Sequence, residues 1–237
     1  MASFDQPVIV SREEWLTARR ELLAKEKAFN EIRDQLGEQR RALPWVRVEK
    51  DYRFDSTDGS RSLAELFSGH RQLLVYHFMF GPDWEAGCPS CSFWADNYNG
   101  TIEHLAHRDT AFVTISRAPL ERLQAYRQRM GWDFEWLSSL ESDFNQDFSV
   151  SFTAEEVESG NNNYNYRDGA AQLEELPGLS VFYRDDSDTV YHTYSCYSRG
   201  LDMLNSAYHH LDLTPLGRHE ADLPFSMAWV RRHDEYE

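Results

Sequence analysis

The stretch that decides the fold is QLLVYHFMF at residues 72–80, followed by GPDWEAGCPSC at residues 81–91. The first nine residues are apolar almost throughout, and they have the length of a strand that is buried on both faces of a sheet. The following loop ends in the tetrapeptide CPSC at residues 88–91. We therefore predict a buried strand that leads through a loop to two cysteines at the start of a helix.

This placement of Cys88 and Cys91 has a specific chemical consequence. Two thiols separated by two residues in the first turn of a helix can close a small disulfide ring. The first thiol lies where unpaired backbone N–H groups point, and the positive end of the helix dipole favours its thiolate. Pro89 suits the first helical position because its missing N–H would have no partner there. We predict that Cys88 is the nucleophile and Cys91 the buried resolving thiol in thiol–disulfide exchange, with no cofactor beyond this redox-active pair.

Several other residues near the cysteines bear on their chemistry. Asp83 and Glu85 lie just upstream, and if both carboxylates face the Cys88 sulfur they would raise the pKa of its thiol. Trp84 is a candidate aromatic neighbour, although it lies four residues before Cys88. His77, in the preceding strand, could pass protons to Cys91, but a hydrogen-bonded core histidine is the more common arrangement.

Other placements of cysteine and histidine suggest alternatives to redox chemistry. A zinc-finger-like pattern, C-x2-C-x12-H-x2-H, is formed by Cys88, Cys91, His104 and His107. The gap between its two histidines is shorter than the gap of about three to five residues that is usual in zinc fingers. A finger also needs its cysteines on a hairpin, whereas Pro89 and Ser90 lead into a helix. We predict no bound metal. Cys196 could be a third redox thiol, but a buried cysteine acting as a small apolar residue is more common.

Alternating strands and helices predict a parallel arrangement around the first strand. After it we predict a helix weakened in its middle, a buried strand, and a helix that Pro119 opens and Gly131 ends. A hairpin and a last helix complete the domain. The predicted ranges are 89–107, 110–116, 119–130, the hairpin strands 179–184 and 189–194, and 201–211.

Two regions are predicted to decorate this domain. Ser11 and Glu14 have capping-box spacing and open a helix to about Leu36, with Gly37 as its stop. Residues 1–44 are thus predicted to form an N-terminal helical extension that lies on the domain of residues 45–237. The polar segment 153–176 is predicted to be a surface insertion, partly ordered at best.

Composition excludes several classes of function. With 24 basic and 40 acidic residues the net charge is −16, which repels nucleic acids and anionic lipids. No run approaches the roughly 18 apolar residues of a membrane span, and Met1 to Val10 lacks the features of a secretory leader. Three cysteines do not make a secreted disulfide framework. We expect a cytoplasmic protein whose partners are protein or small-molecule thiols and disulfides.

Several motifs resemble those of a bacterial family of unknown function, which is described as predicted dithiol–disulfide oxidoreductases with a thioredoxin-like fold. The matching motifs are at residues 78–84, 88–96, 142–145, 164–167, 192–195, 199–202, 215–218 and 229–236. The resemblance spans nearly the whole chain. It implies an α/β, thioredoxin-like fold in its peroxiredoxin-like variant, with a central mixed sheet flanked by helices. It also implies the type of reaction, but not the substrate.

The broader thioredoxin superfamily adds one expectation and two alternative functions. A cis-proline is expected opposite the cysteines, and Pro177 is the positional candidate. One alternative is a peroxiredoxin-like thiol peroxidase, in which Cys88 forms a sulfenic acid. However, Gly81 and Glu85 stand where the pattern P-x-x-x-T-x-x-C has proline and threonine. The other alternative is a non-catalytic thioredoxin-like binding protein, against which the intact cysteine pair argues.

Overall fold

A computed structural model describes residues 7–237. The segment Met1 to Val10, for which we predicted no secretory leader, therefore lies partly outside the described residues. The chain divides into two compact units, one ending at Pro44 and one extending from Trp45 to Glu237. Among the described residues, no helix is both long enough and apolar enough to cross a lipid bilayer.

The first unit is helix α1, Arg12–Arg41. It begins with the predicted capping box, in which Ser11 accepts a hydrogen bond from the Glu14 N–H and the Glu14 carboxylate accepts one from the Ser11 N–H. The predicted stop at Gly37 is wrong. A mid-helix glycine costs only about 1 kcal/mol relative to alanine, and basic residues in the last turn favour continuation to Arg41. The predicted docking of this helix on the rest of the chain stays a prediction.

The second unit is built on an eight-stranded mixed sheet, as predicted. Its central strand pairs in parallel with the next strand of the chain and antiparallel with the first strand of the predicted hairpin. The strands of this sheet are β1 (Val46–Arg47), β2 (Arg53–Ser56), β3 (Gly59–Ser62), β4 (Gln72–His77), β5 (Thr110–Ser116), β6 (Glu135–Ser138), β9 (Gly178–Arg184) and β10 (Val190–Tyr197), in the spatial order β1-β10-β9-β4-β5-β6-β2-β3.

Helices cover this sheet, and a small hairpin, β7 (Asn163–Tyr164) with β8 (Arg167–Asp168), lies outside it. The α-helices are α2 (Pro89–Ala95), α3 (Ile102–Ala106), α4 (Leu120–Arg129), α5 (Phe144–Asp147), α6 (Ala154–Ser159) and α7 (Ser206–Leu211). Short 3₁₀ turns occur at Glu65–Phe67, Ser198–Leu204 and His233–Glu235.

The central strand β4 separates two apolar cores. Side chains of a strand alternate between its two faces, so Val75 packs with Phe54 and Phe182 on one face. Tyr76 packs on the other face, in the cluster that also contains Cys91. This alternation explains why β4 is apolar along nearly its whole length, and it places α2 with its cysteine on one defined side of the sheet.

Two predicted helices are each interrupted by a side chain that bonds locally. The predicted helix 89–107 is divided into α2 and α3, because the Asn97 amide donates to the Phe93 carbonyl (2.8 Å) and Gly100 adopts a positive φ of 76°. The predicted helix 201–211 breaks at Asn205, whose extended backbone lets its side chain accept from the Tyr208 N–H and cap α7. Local polar bonds of this kind compete with helix continuation.

The segment 153–176 is well structured, so the prediction of a partly ordered insertion is wrong. It contains α6 and the hairpin of β7 and β8. Tyr164, only 7% exposed, packs with Ala171, Val150 and Tyr197 in a third apolar cluster. The Asn162 amide bonds both the Glu156 carbonyl and the Ala171 N–H, at 2.8 Å each. Internal polar bonds thus order a segment whose composition is that of a surface loop.

Candidate active site

Cys88 stands at the start of α2, where the sequence places it. It is the N-cap residue, and Pro89 occupies the first turn of the helix. Cys88 is half-buried, whereas Cys91 is only 3% exposed. The two cysteines are not joined by a disulfide. The main chain of Met79 binds both of them, because its N–H donates to the Cys91 sulfur (3.5 Å) and its carbonyl accepts from the Cys88 N–H (3.1 Å).

The surroundings of Cys88 favour its thiolate. The thiol of Cys91 donates a hydrogen bond to the Cys88 sulfur, and this contact contributes most to lowering the pKa of Cys88 from 9.0 to about 6. Burial acts in the opposite direction, but the backbone N–H groups of Cys91 and Ser90 and the Ser90 hydroxyl add further hydrogen bonds to the sulfur. Hydrogen bonds to the charged form of a group stabilise that form, so Cys88 is ionised at neutral pH.

Cys91 has the opposite character. Burial raises the pKa of Cys91 well above its ordinary value, and the hydrogen bond to Cys88 and the nearby Cys88 charge act in the same direction. The Met79 N–H partly offsets this effect. The surroundings of the pair therefore favour the thiolate on Cys88 and the protonated thiol on Cys91.

The carboxylates just upstream do not dominate the pKa of Cys88. Asp83 and Glu85 are exposed, and hydrogen bonds from Cys91 and Ser90 lower the pKa of Cys88, so the rise expected if both carboxylates faced the sulfur does not prevail. Trp84 is folded onto its own loop, because a Cβ added to Gly81 would lie 2.8 Å from the indole nitrogen. The Trp84 carbonyl accepts from the Arg122 guanidinium at 2.8 Å. The indole therefore packs against the loop backbone.

Strand alternation assigns Tyr76, and not His77, to the side of the cysteines. The Tyr76 hydroxyl donates to the Cys91 carbonyl at 3.3 Å. His77 lies on the opposite face, where its Nε2 bonds the Ser180 hydroxyl at 2.8 Å and its ring stacks on Phe144. Burial lowers the pKa of His77 to about 3, so it is neutral. The proposed relay to Cys91 is wrong, and His77 is the hydrogen-bonded core histidine that was the alternative.

Pro177 directly precedes β9 at the edge of the sheet where β4 ends, since Gly178 pairs in register with His77. No peptide bond of the described residues is cis, so the expected cis-proline is wrong. Just before Pro177, the Leu176 N–H donates to the Val150 carbonyl at 2.8 Å. The Pro177 carbonyl accepts from the Tyr164 hydroxyl at 2.8 Å.

The remaining cysteine and histidine candidates do not form a site. His104 and His107 are exposed on and after α3, whereas Cys91 is buried. Within residues 7–237, no three histidine, cysteine or acidic side chains converge as metal ligands. Cys196 is buried on β10 in the same apolar cluster as Cys91, which matches the predicted role of a small apolar residue.

Three polar residues beside Cys88 were not found from the sequence. The Ser92 hydroxyl donates to the Cys88 carbonyl at 2.9 Å and bonds the Tyr126 hydroxyl at 2.9 Å. Arg232 donates to the Gly87 carbonyl at 2.7 Å. The spacing of Ser92, four residues after Cys88 on a helix, is a usable signal. Tyr126 and Arg232 carry no such signal, because nothing local to them points to the cysteines.

The chain is similar to several proteins of known structure. The solved structure of peroxidoxin BcpB from Mycobacterium tuberculosis is 15% identical, covers 69% of this chain and 93% of its own, and has a TM-score of 0.46. Peroxiredoxin Q from Xanthomonas campestris is 13% identical, with coverage of 67% and 90% and a TM-score of 0.45. None of the curated proteins matches this chain. One family, described as "Bacterial protein of unknown function (DUF899)", matches residues 4–236, and the chain belongs to this family.

Proposed function

We propose that the protein is a thiol–disulfide oxidoreductase that works through Cys88 and Cys91. The observation that carries this proposal is that the two thiols differ in exposure and in the direction in which their surroundings shift the pKa. Cys88 is half-buried at a helix start in surroundings that favour its thiolate, and the buried thiol of Cys91 is a hydrogen-bond donor to it. A thiolate next to a protonated second thiol is the arrangement that disulfide exchange requires.

The reaction proceeds in two exchanges. The Cys88 thiolate attacks one sulfur of a substrate disulfide, so the substrate S–S bond breaks and one substrate thiolate leaves. The Cys91 thiol then loses its proton and attacks the Cys88 sulfur of the mixed disulfide, which releases the second substrate thiolate. Two electrons pass from the cysteine pair to the substrate, the released thiolates take up protons, and an external dithiol returns the pair to its reduced form. Protein and small-molecule disulfides are the proposed substrates.

A chromogenic aromatic disulfide tests this scheme in proteins whose Cys196 is replaced by alanine. The reduced parent should release two aromatic thiolates per chain, whereas Cys91→Ser should release one and retain the other as a mixed disulfide. Cys88→Ser should react slowly, because the thiol left to it is buried. Equal release by the parent and Cys91→Ser would contradict the proposal.

Hydrogen peroxide separates this function from its two rivals. In a thiol peroxidase, Cys88 would react with peroxide, to form a sulfenic acid, faster than it reacts with disulfides. The Cys91→Ser variant would then retain that sulfenic acid, which mass spectrometry would detect. A binding protein would form neither the mixed disulfide nor the sulfenic acid at an appreciable rate. We expect the disulfide to be the faster oxidant.

A further inference from the structure

The end of the chain returns to the loop that carries the cysteines. We refer to residues 230–236 as the C-terminal strap. Val230 is 4% exposed, and the Arg129 guanidinium of α4 binds Asp234 (2.7 and 3.0 Å) and Glu235 (2.9 Å). His233 bonds Asp96, just after α2, at 2.7 Å. The strap is therefore bonded to α4 and to the residue that ends α2.

Arg232 is the residue of the strap that reaches the loop itself. Its guanidinium donates to the Gly87 carbonyl at 2.7 Å and to the Tyr126 hydroxyl at 2.7 Å. Glu235 accepts from the same guanidinium at 2.9 Å and so holds it in place. A planar guanidinium can satisfy several acceptors in a fixed geometry, which a lysine ammonium does not reproduce.

A chain of donors runs from Arg232 to the backbone of Cys88. Arg232 donates to the Tyr126 hydroxyl, and the Ser92 hydroxyl donates to the Cys88 carbonyl. The Tyr126 hydroxyl lies 2.9 Å from that of Ser92 and 3.5 Å from the Gly87 carbonyl, and its single proton can go to either of them. Chains of this kind polarise their members and strengthen one another.

Both peptide units that flank Cys88 are consequently held at defined points. The Cys88 N–H donates to the Met79 carbonyl (3.1 Å), and Arg232 binds the carbonyl of the same Gly87–Cys88 peptide. On the other side, the Cys88 carbonyl accepts from the N–H and the hydroxyl of Ser92, at 3.0 and 2.9 Å. The Arg232 network contributes to two of these attachments.

We propose that Arg232 is a positioning residue for the nucleophile, acting through the Gly87 carbonyl and through Tyr126 and Ser92. This inference rests on the proposed function, because it assigns Arg232 a role in keeping Cys88 reactive. The thiolate depends on donors from Ser90 and Cys91, which are aimed at the sulfur only while the Cys88 backbone is held. When the backbone is released, these hydrogen bonds lengthen and the thiolate is less favoured.

The test measures the alkylation rate of Cys88 by iodoacetamide as a function of pH, with the labelled peptide identified by mass spectrometry. Arg232→Gln removes the charge and the fork, and we expect the midpoint to rise by about one pH unit, which is the effect of losing roughly one hydrogen bond to a charged group. Arg231→Gln is the matched control. Among residues 7–237, the neighbouring guanidinium of Arg231 bonds the carbonyls of Ala228 and Val230, so the midpoint of this variant should equal that of the parent.

Tyr126→Phe provides a second variant that leaves the strap intact. It removes the central hydroxyl of the chain of donors, and it should shift the midpoint in the same direction as Arg232→Gln. Unchanged midpoints in the folded variants would overturn the proposal. Alkylation requires no substrate disulfide, so the two proposals can fail separately. A shifted midpoint in a protein without disulfide exchange would refute the proposed function alone, and an unshifted one in an active protein would refute the role of Arg232 alone.

Discussion

Replacement of Cys91 by alanine removes the largest contribution to the low pKa of Cys88, the hydrogen bond from the Cys91 thiol. With a pKa of about 6, Cys88 is roughly 90% ionised at about pH 7, compared with about 1% at its ordinary value of 9.0. A hydrogen bond to a charged group contributes about 1.5–3 kcal/mol, which corresponds to about one to two pH units. The removal of a donor to the thiolate raises the pKa, so we expect a value of about 7–8 in Cys91→Ala.

Iodoacetamide alkylation of Cys88 across a pH series measures this value directly. At about pH 7 the alkylation rate of Cys91→Ala should fall roughly 2- to 10-fold, in proportion to its thiolate fraction. Cys196→Ala is the matched control, because Cys196 is also buried in the same cluster, whereas the hydrogen bonds that lower the pKa of Cys88 come from Cys91 and Ser90. Its midpoint should equal that of the parent.

Two results would refute this reasoning. A parent midpoint near the ordinary thiol value would mean that the donors from Cys91 and Ser90 do not favour the thiolate. An equal midpoint in the parent and in Cys91→Ala would mean that the backbone N–H groups at the helix start, and not the second thiol, set the pKa of Cys88.

Further outcomes are expected from other substitutions. Gly87→Ala should lower the free energy of unfolding by about 1–3 kcal/mol, because the new Cβ would lie 2.7 Å from the Phe78 ring; an unchanged stability would show that the ring can move. In contrast, Gly37→Ala should increase the helicity measured by circular dichroism. His77→Ala should lower the free energy of unfolding, measured in urea, by about 2–4 kcal/mol and leave the alkylation midpoint of Cys88 unchanged. A shifted midpoint would contradict the position of His77 on the face of the sheet opposite to the cysteines. The reduced protein should gain stability relative to Cys88→Ser as the pH rises from about 6 to 9.0, by at most about 1.4 kcal/mol per pH unit. The reason is that a thiol whose pKa is lower in the folded than in the unfolded protein stabilises the fold at pH values above its folded pKa. A pH-independent difference between the urea midpoints of the two proteins would contradict this.

Local patterns in the sequence were sufficient for the parts of the fold that depend on local forces. Ser11 and Glu14 predicted the capping box of α1, and the apolar run at 72–80 predicted the central strand, although regular pairing ends at His77. The hairpin of β9 and β10 followed from two extended runs around a polar turn. In each case the residues that interact are close along the chain, so their spacing is informative.

Where local reasoning failed, a distant or competing contact decided the outcome. The segment 153–176 is polar in composition, but Tyr164 finds a pocket between Val150 and Tyr197. The predicted helix ending at His107 was broken by the amide of Asn97, which bonds the helix backbone of α2. The sequence did not show on which face of the sheet His77 lies, because the face of a strand residue depends on which neighbour packs against each side.

The sequence alone determined that two cysteines stand at a helix start after a buried strand, since Pro89, the apolar run and the cysteine spacing all act within a few residues. Only the tertiary structure decided how these cysteines are tuned. Asp83 and Glu85, adjacent in the chain, are exposed and leave the pKa of Cys88 low. Arg232, 145 residues from Gly87 along the chain, donates to the Gly87 carbonyl, which belongs to the peptide next to Cys88. Electrostatic and hydrogen-bond energies depend on distance in space, and distance along the chain does not predict it once the chain has folded back on itself.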